Sequence, residues 1–360
     1  MSLDSYVRAA PKAELHVHLE GAIRPATLLA LARRNGVSLP ATDVDGLRRW
    51  FIYRDFPHFI EIYVAITRCL RTADDYELIV HELGAELAAQ NARYAEVTFT
   101  PGTHRSLGVP EETWFRGIAR GRERALADFD VEIAWVFDIA RSAAIDFPER
   151  GLTDYTVGVA IEGMADGVVA LGLGGLEAGY PPQPFAPAFD RARAAGLRSA
   201  PHAGELAGPA SIWGALTALG ADRIGHGVRA IEDPALVAHL AEHRIPIEVC
   251  PTSNLRLGVF PDLARHPLPP LLDAGVVLTV NSDDPPLFNT TLTEELALLP
   301  GAFGLGVAAI DRVLLDAVRH SFLPPPRRDA LATAFADQLA ALKAIHLDAA
   351  GARPTVDVSP

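Results

Sequence analysis

Eight short runs of apolar and β-branched residues, most of them separated by stretches of helical period, constrain this chain more than any other feature. The candidate strands are 14–18, 94–100, 131–138, 168–173, 198–202, 222–225, 245–250 and 276–281. Between them, 75–90, 111–128, 187–195, 211–219 and 234–242 repeat apolar residues at helical spacing. Alternation sustained eight times predicts an α/β fold, a (β/α)8 barrel of TIM type. A doubly wound sheet is the competing architecture. It requires a Gly-rich nucleotide loop after the first strand, and His18-Leu19-Glu20-Gly21-Ala22 offers none.

With 360 residues and 49% hydrophobic content the chain can bury one large core. Residues 1–345 read as a single barrel domain. The segment 42–72, rich in aromatics (Trp50, Phe51, Tyr53, Phe56, Phe59, Tyr63), is longer than a crossover needs and reads as a helical insertion over the barrel mouth. Residues 172–187, rich in Gly and Pro, read as a loop after the fourth strand, with close backbone approach at Gly174 and Gly175. Residues 346–360 read as a flexible tail. A formal charge of −13 argues against nucleic-acid or anionic-membrane partners, which need a basic field, and leaves a small molecule as the expected partner. Cys69 and Cys250 are the only cysteines, so neither a disulfide framework nor a cysteine-based metal site is expected. The first twelve residues lack the pattern of a signal peptide and no run approaches 18 apolar residues, so a cytoplasmic location is expected.

In such a barrel the chemistry gathers at the C-terminal ends of the strands. His16 and His18, two residues apart on the first strand, point to the same side and make half of a divalent metal site. His202 ends the fifth strand, followed by Glu205. His226 lies just past the sixth, between two glycines, and Asp283-Asp284 follow the eighth. Taken singly, each has a structural alternative: a hydrogen-bonded core histidine, a turn residue, or a helix cap for Glu205 and the aspartates. Taken together at strand ends, they would require several unrelated coincidences.

The segments Pro11 to Gly21, His202-Ala203-Gly204-Glu205, Arg223-Ile224-Gly225-His226-Gly227, Glu248 to Asn254 and Asn281-Ser282-Asp283-Asp284-Pro285 resemble the adenosine deaminase family of the amidohydrolase superfamily, in family order. The resemblance implies a (β/α)8 barrel. It further implies one Zn²⁺ per chain held by His16, His18, His202 and Asp283, a ligand set suited to that ion. Glu205 matches the family's proton shuttle to purine N1, which must stay protonated in the ground state. His226 matches the residue that orients the attacking water, Asp284 the group that bonds purine N7, and the Gly175 backbone the contact to N3. The implied activity is hydrolytic deamination of C6 of an adenine ring, giving a 6-oxopurine and ammonia.

One position departs from the pattern. Adenosine deaminases hold the ribose 5′-hydroxyl with an Asp two residues after the second histidine, and here that residue is Glu20. The principal expectation is adenosine or a related adenine nucleoside, with Glu20 in the substrate site. The alternatives are free adenine, whose deaminases are similar in carrying Leu-Glu-Gly, and aminodeoxyfutalosine, an intermediate of menaquinone synthesis. The branch acting on the latter resembles this chain in Phe56-Pro57-His58-Phe59-Ile60 and in 174–185. That substrate carries a carboxylate, for which Arg24 and Arg54 are the candidate partners. Two further classes compete: a metal-dependent hydrolase of esters, amides or phosphoesters, and a silent binding protein. Glu205 and the Asp283-Asp284 pair, suited to N1 and N7, argue against the first, and the complete set of matched residues argues against the second.

Overall fold

The computed structural model describes residues 2–347. All eight expected strands form: β1 (Lys12–His18), β2 (Ala92–Phe99), β3 (Glu132–Ala140), β4 (Val168–Gly174), β5 (Arg198–Ala203), β6 (Ile224–His226), β7 (Ile247–Val249) and β8 (Leu278–Val280). They pair in parallel in sequence order. A bridge between Val17 and Asp283 brings the chain after β8 back to β1, so the sheet nearly closes as a (β/α)8 barrel. β7 is shorter than the expected 245–250, in part because Pro246 has no N–H to donate to the ladder.

The helices follow local rules. Thr72 and Asp75 form a reciprocal capping box at the start of Ala73–Ala89. Glu111–Phe129 packs closely on that helix because two of its residues lack side chains: a Cβ on Gly117 would lie 2.4 Å from the Ala73 carbonyl, and one on Gly121 2.5 Å from Val80 Cβ. The aromatic segment 42–72 yields two extra helices, Val44–Trp50 and Phe56–Thr67, capped by Asp43 and Asp55. The last helix, Pro325–His346, just enters the expected tail, whose residues 348–360 lie outside those described. Among the described residues no helix is long and apolar enough to cross a membrane.

Apolar residues fill the barrel, with Val136, Ala170 and Ala200 in one cluster. Leu323, Leu331 and Phe335 pack on Ala13, Leu15 and Tyr94, near the starts of β1 and β2. Between this end and the opposite one sits a buried ion pair. Arg223 is flanked by Glu96 and by Glu248, whose Oε1 accepts from Nε at 2.5 Å. Arg223 also donates to the His320 carbonyl at 2.9 Å and stacks on Phe322, 3.6 Å from the ring centroid. Tyr94 donates its hydroxyl to Glu96 at 2.8 Å. Removing one partner of such a group leaves the other charges buried and uncompensated. Arg223→Met is therefore expected to cost about 3–5 kcal/mol in denaturant unfolding, and a loss below about 1 kcal/mol would contradict a structural role for the group.

Candidate active site

Strands from both ends of the sequence deliver the candidate residues to one point. Ligand atoms of His16, His202, His226 and Asp283 all lie within 4.8 Å of one another. His18 joins them: its Nε2 is 3.2 Å from His202 Nε2 and 3.4 Å from Asp283 Oδ1. His226, expected just past β6, is the last residue of that strand. Gly225 before it leaves the necessary room, since a Cβ there would sit 2.9 Å from His16 Cε1. His226 and Asp283 have φ of 60° and 62°, a left-handed conformation costing side-chain-bearing residues on the order of 1–2 kcal/mol. Strain of this kind persists where the surroundings impose it, typically at functional sites.

The charges in this cluster suit a cation. Burial holds the His226 imidazole down to about 3 and His202 well below its usual range, so both are neutral and present lone pairs. Burial opposes ionisation of Asp283, yet His16 and the other imidazoles hold its carboxyl well below the usual carboxylate range. His16 behaves conversely: against desolvation, Asp283 and Glu248 draw it up to about 10. Its Nε2, buried without a hydrogen-bond partner, is thus a place where positive charge is stabilised, whether by a proton or by a metal ion. Neutral imidazoles around one ionised carboxylate are donors fit for a divalent ion of borderline softness.

Partners behind the cluster fix its rings. Glu248 Oε2 lies 2.8 Å from His16 Nδ1, which sets Nε2 toward Asp283. The same Glu248 is anchored by Arg223, so the buried ion pair also braces a candidate ligand. Asn254 Nδ2 reaches His226 Nδ1 at 3.4 Å. That leaves His226 Nε2 facing Glu205 Oε1 at 3.7 Å and Asp283 Oδ2 at 3.9 Å.

Glu205 is buried beside the cluster, and its carboxyl is pushed well above the usual range by burial and by the charges of Asp283 and Glu177. It is therefore a neutral acid able to donate. Its position depends on Glu177, which the sequence reading passed over. Glu177 Oε1 accepts from Gly204 N–H at 2.6 Å, and Oε2 accepts from the N–H groups of Glu205, Leu206 and Ala207 at 2.7–3.1 Å. The available signal was that Glu177 is the only charged residue in the Gly/Pro-rich stretch 172–187. Asp284 is likewise buried and driven upward by burial and by Asp283. Gly21 makes room for it, since a Cβ there would fall 1.6 Å from Asp284 Oδ1.

These groups open onto a cleft. Phe56, Phe59, Ile60, Tyr63, Val64 and Leu257 supply apolar lining; Thr100, Thr103, Asp138, Ala140, Ser142, Ala143 and Gly175 also border it. Residues of the aromatic segment thus line this cleft. Among the described residues no lysine or arginine lines the cleft. Glu20, expected in the substrate site, is absent from the lining: its carboxylate accepts from His104 Nε2 (2.9 Å), Tyr63 Oη (3.0 Å) and Thr100 N–H (3.2 Å). Arg24 lines a different cleft, tied to Glu82 and Glu86, and Arg54 lines neither.

Barrel and site together define a hydrolase acting on carbon–nitrogen bonds. A family model described as adenosine deaminase matches residues 11–338, and the chain belongs to that family. It is 43% identical to an aminodeoxyfutalosine deaminase of Streptomyces avermitilis over 89% of each chain. It is 39% identical to an adenine deaminase of Albidiferax ferrireducens, over 94% of this chain and 95% of the relative. A solved amidohydrolase from Burkhoderia ambifaria with bound zinc superposes with a TM-score of 0.85 at 29% identity, covering 95% of this chain and 94% of the other.

Glu177→Gln replaces one of the two accepting oxygens with an NH2 group that cannot accept, and so loosens the backbone that carries Glu205. A displacement on the order of 1 Å at a reacting group costs roughly 100-fold in rate, so kcat is expected to fall by about that factor while circular dichroism is unchanged. A variant within threefold of wild type would show that the Glu177 contacts do not position Glu205.

Proposed function

We propose that the protein hydrolyses the C6 amino group of an adenine ring carried by a 5′-extended nucleoside of the aminodeoxyfutalosine kind, releasing ammonia and the 6-oxopurine. Glu20 carries the choice of substrate. A carboxylate already accepting from a histidine, a tyrosine and a backbone N–H has little capacity left for a ribose 5′-hydroxyl, so the grip expected for adenosine itself is given up. The aromatic and aliphatic wall beside the polar cluster offers the extension of a nucleoside an apolar surface to pack on. The absence of lysine and arginine from the lining disfavours a 5′-phosphate. The exposed Arg256, directly before the lining residue Leu257, is the candidate partner for a carboxylate at the far end of the substrate. The identity with the S. avermitilis relative supports the same reading. Free adenine is the second reading, favoured by the relative from A. ferrireducens and by the same loss of a ribose grip at Glu20.

In the proposed reaction His16, His18, His202 and Asp283 would hold a divalent ion, for which zinc is the best candidate. Bound there, such an ion lowers the pKa of water and so supplies a nucleophile at neutral pH. The neutral Glu205 donates its proton to N1, which draws electron density from C6 and opens it to water. His226 orients that water through the Nε2 that faces Glu205 and Asp283. Asp284, held protonated, donates to N7, and the Gly175 N–H donates to N3. Of the two protons of the water, one passes to the amino nitrogen and one restores Glu205, so breaking the C6–N bond expels ammonia and leaves the carbonyl at C6.

Steady-state kinetics on adenine, adenosine, 2′-deoxyadenosine, 5′-methylthioadenosine and aminodeoxyfutalosine test the substrate. The expected outcome is a kcat/KM for aminodeoxyfutalosine at least about tenfold above the others. Faster turnover of free adenine would overturn the nucleoside reading. Glu205→Gln is expected to lose roughly 10²–10⁴-fold in kcat with metal content unchanged; near wild-type turnover would remove Glu205 from the proton-transfer role.

A further inference from the structure

The family assignment and the proposed mechanism leave one buried carboxyl of the cleft without a role. Asp138 lies near the end of β3, opposite Gly172 of β4 in the parallel ladder. The two successive inward positions of β4 facing it, 172 and 174, are both glycine. A Cβ on Gly172 would sit 2.9 Å from Asp138 Cβ, and one on Gly174 2.3 Å from Asp138 Oδ2. Glycine weakens a strand interior and is retained there where something must approach closely. Here the group that approaches is the Asp138 carboxyl, so two strand positions are given over to housing it.

Asp138 is 3% exposed, lines the cleft, and has no hydrogen-bond partner on Oδ1. No cation pairs with it among the described residues. Burial lifts its pKa to about 7, opposed by the Thr100 hydroxyl and reinforced by the charge of Glu20. A buried carboxyl oxygen left unpaired costs more than a hydrogen bond returns, so native proteins seldom keep one away from a functional site. Gly175, next to the glycine that accommodates Asp138, also lines the cleft. In the barrel β3 flanks β4 on the side away from β5, which leads into Glu205, so with Gly175 at N3 and Glu205 at N1, as in the reaction proposed above, Asp138 is placed toward the N9 side of the purine. A nucleoside offers a ribose hydroxyl there, and the free base offers N9–H. Both are hydrogen-bond donors.

We propose that Asp138 is a specificity-determining residue that accepts a hydrogen bond from the donor on the N9 side of the purine, which in the preferred substrate is a ribose hydroxyl. The inference rests on the adenine-ring reading of the site, and it assigns to β3 the recognition that Glu20 does not perform. No bond is made or broken at Asp138; its contribution is to binding and orientation.

The test uses the metal-loaded enzyme and two substrate pairs: the preferred 5′-extended nucleoside with its 2′,3′-dideoxy counterpart, and adenine with 9-methyladenine. Wild type is expected to favour the donor-bearing member of the pair it uses by roughly 10- to 100-fold, the range for a hydrogen bond to a charged group. Asp138→Ala is expected to erase that preference while changing kcat/KM on the donor-free member by less than about threefold and leaving metal content intact. Asp138→Asn, which keeps an acceptor oxygen, is expected to restore most of the preference. If the enzyme uses free adenine, the preference appears in the second pair instead, so failure of the nucleoside reading is separable from failure of the Asp138 assignment. Uniform loss on all four compounds, or no change on any, would overturn the assignment. A wild type indifferent to the donor in both pairs would overturn it without any variant.

Discussion

The amide of Asp283 donates to the His16 carbonyl at 2.9 Å, and the amide of His18 donates to the Asp283 carbonyl at 2.9 Å. These two bonds are the seam of the barrel, where the chain after β8 meets β1. They join residues more than 260 positions apart, and the same backbone atoms fix where three of the candidate ligand side chains project. Chain closure and site assembly are therefore one event: a barrel that failed to close here would also separate Asp283 from His16 and His18. The left-handed φ of Asp283 is tolerated because this seam demands it.

Electrostatics extend the dependence inward. Asp283 remains ionised among imidazoles, and its charge is one reason that Glu205 and Asp284 stay protonated beside it. One charged carboxylate thus sets two neutral acids at the edge of the cleft, the state in which a carboxyl can donate a hydrogen bond as well as accept one. Behind them, Glu248 passes the bracing of Arg223 to His16, so the buried ion pair of the barrel interior and the candidate metal centre form one connected network. Glu177 does the equivalent for Glu205, through four backbone donors.

Much of this was legible in the sequence. The periodicity marked all eight strands, because fully buried parallel strands read as apolar runs whatever their exact ends. The histidines and aspartates stood out because a core would otherwise place aliphatics at strand ends. What the sequence concealed was partnership. Glu20 looked like a substrate ligand by position, but Tyr63 from one helix and Thr100 and His104 from the start of another reach it, contacts that no spacing rule encodes. Glu177 looked like part of a loop because its role is to accept from backbone groups 27–30 residues away. Asp138 left a trace, as the one acid in the apolar run 133–139, yet its meaning emerged only with the two glycines of β4 beside it.

The central claim is that this constellation adds water to C6 of an adenine ring and expels the amino group. Turnover in ¹⁸O-labelled water, followed by mass spectrometry of the purine and assay of ammonia, tests it most directly. One ¹⁸O in each 6-oxopurine product, with one equivalent of ammonia, is the predicted result. Product without label, or consumption of substrate without ammonia, would contradict it.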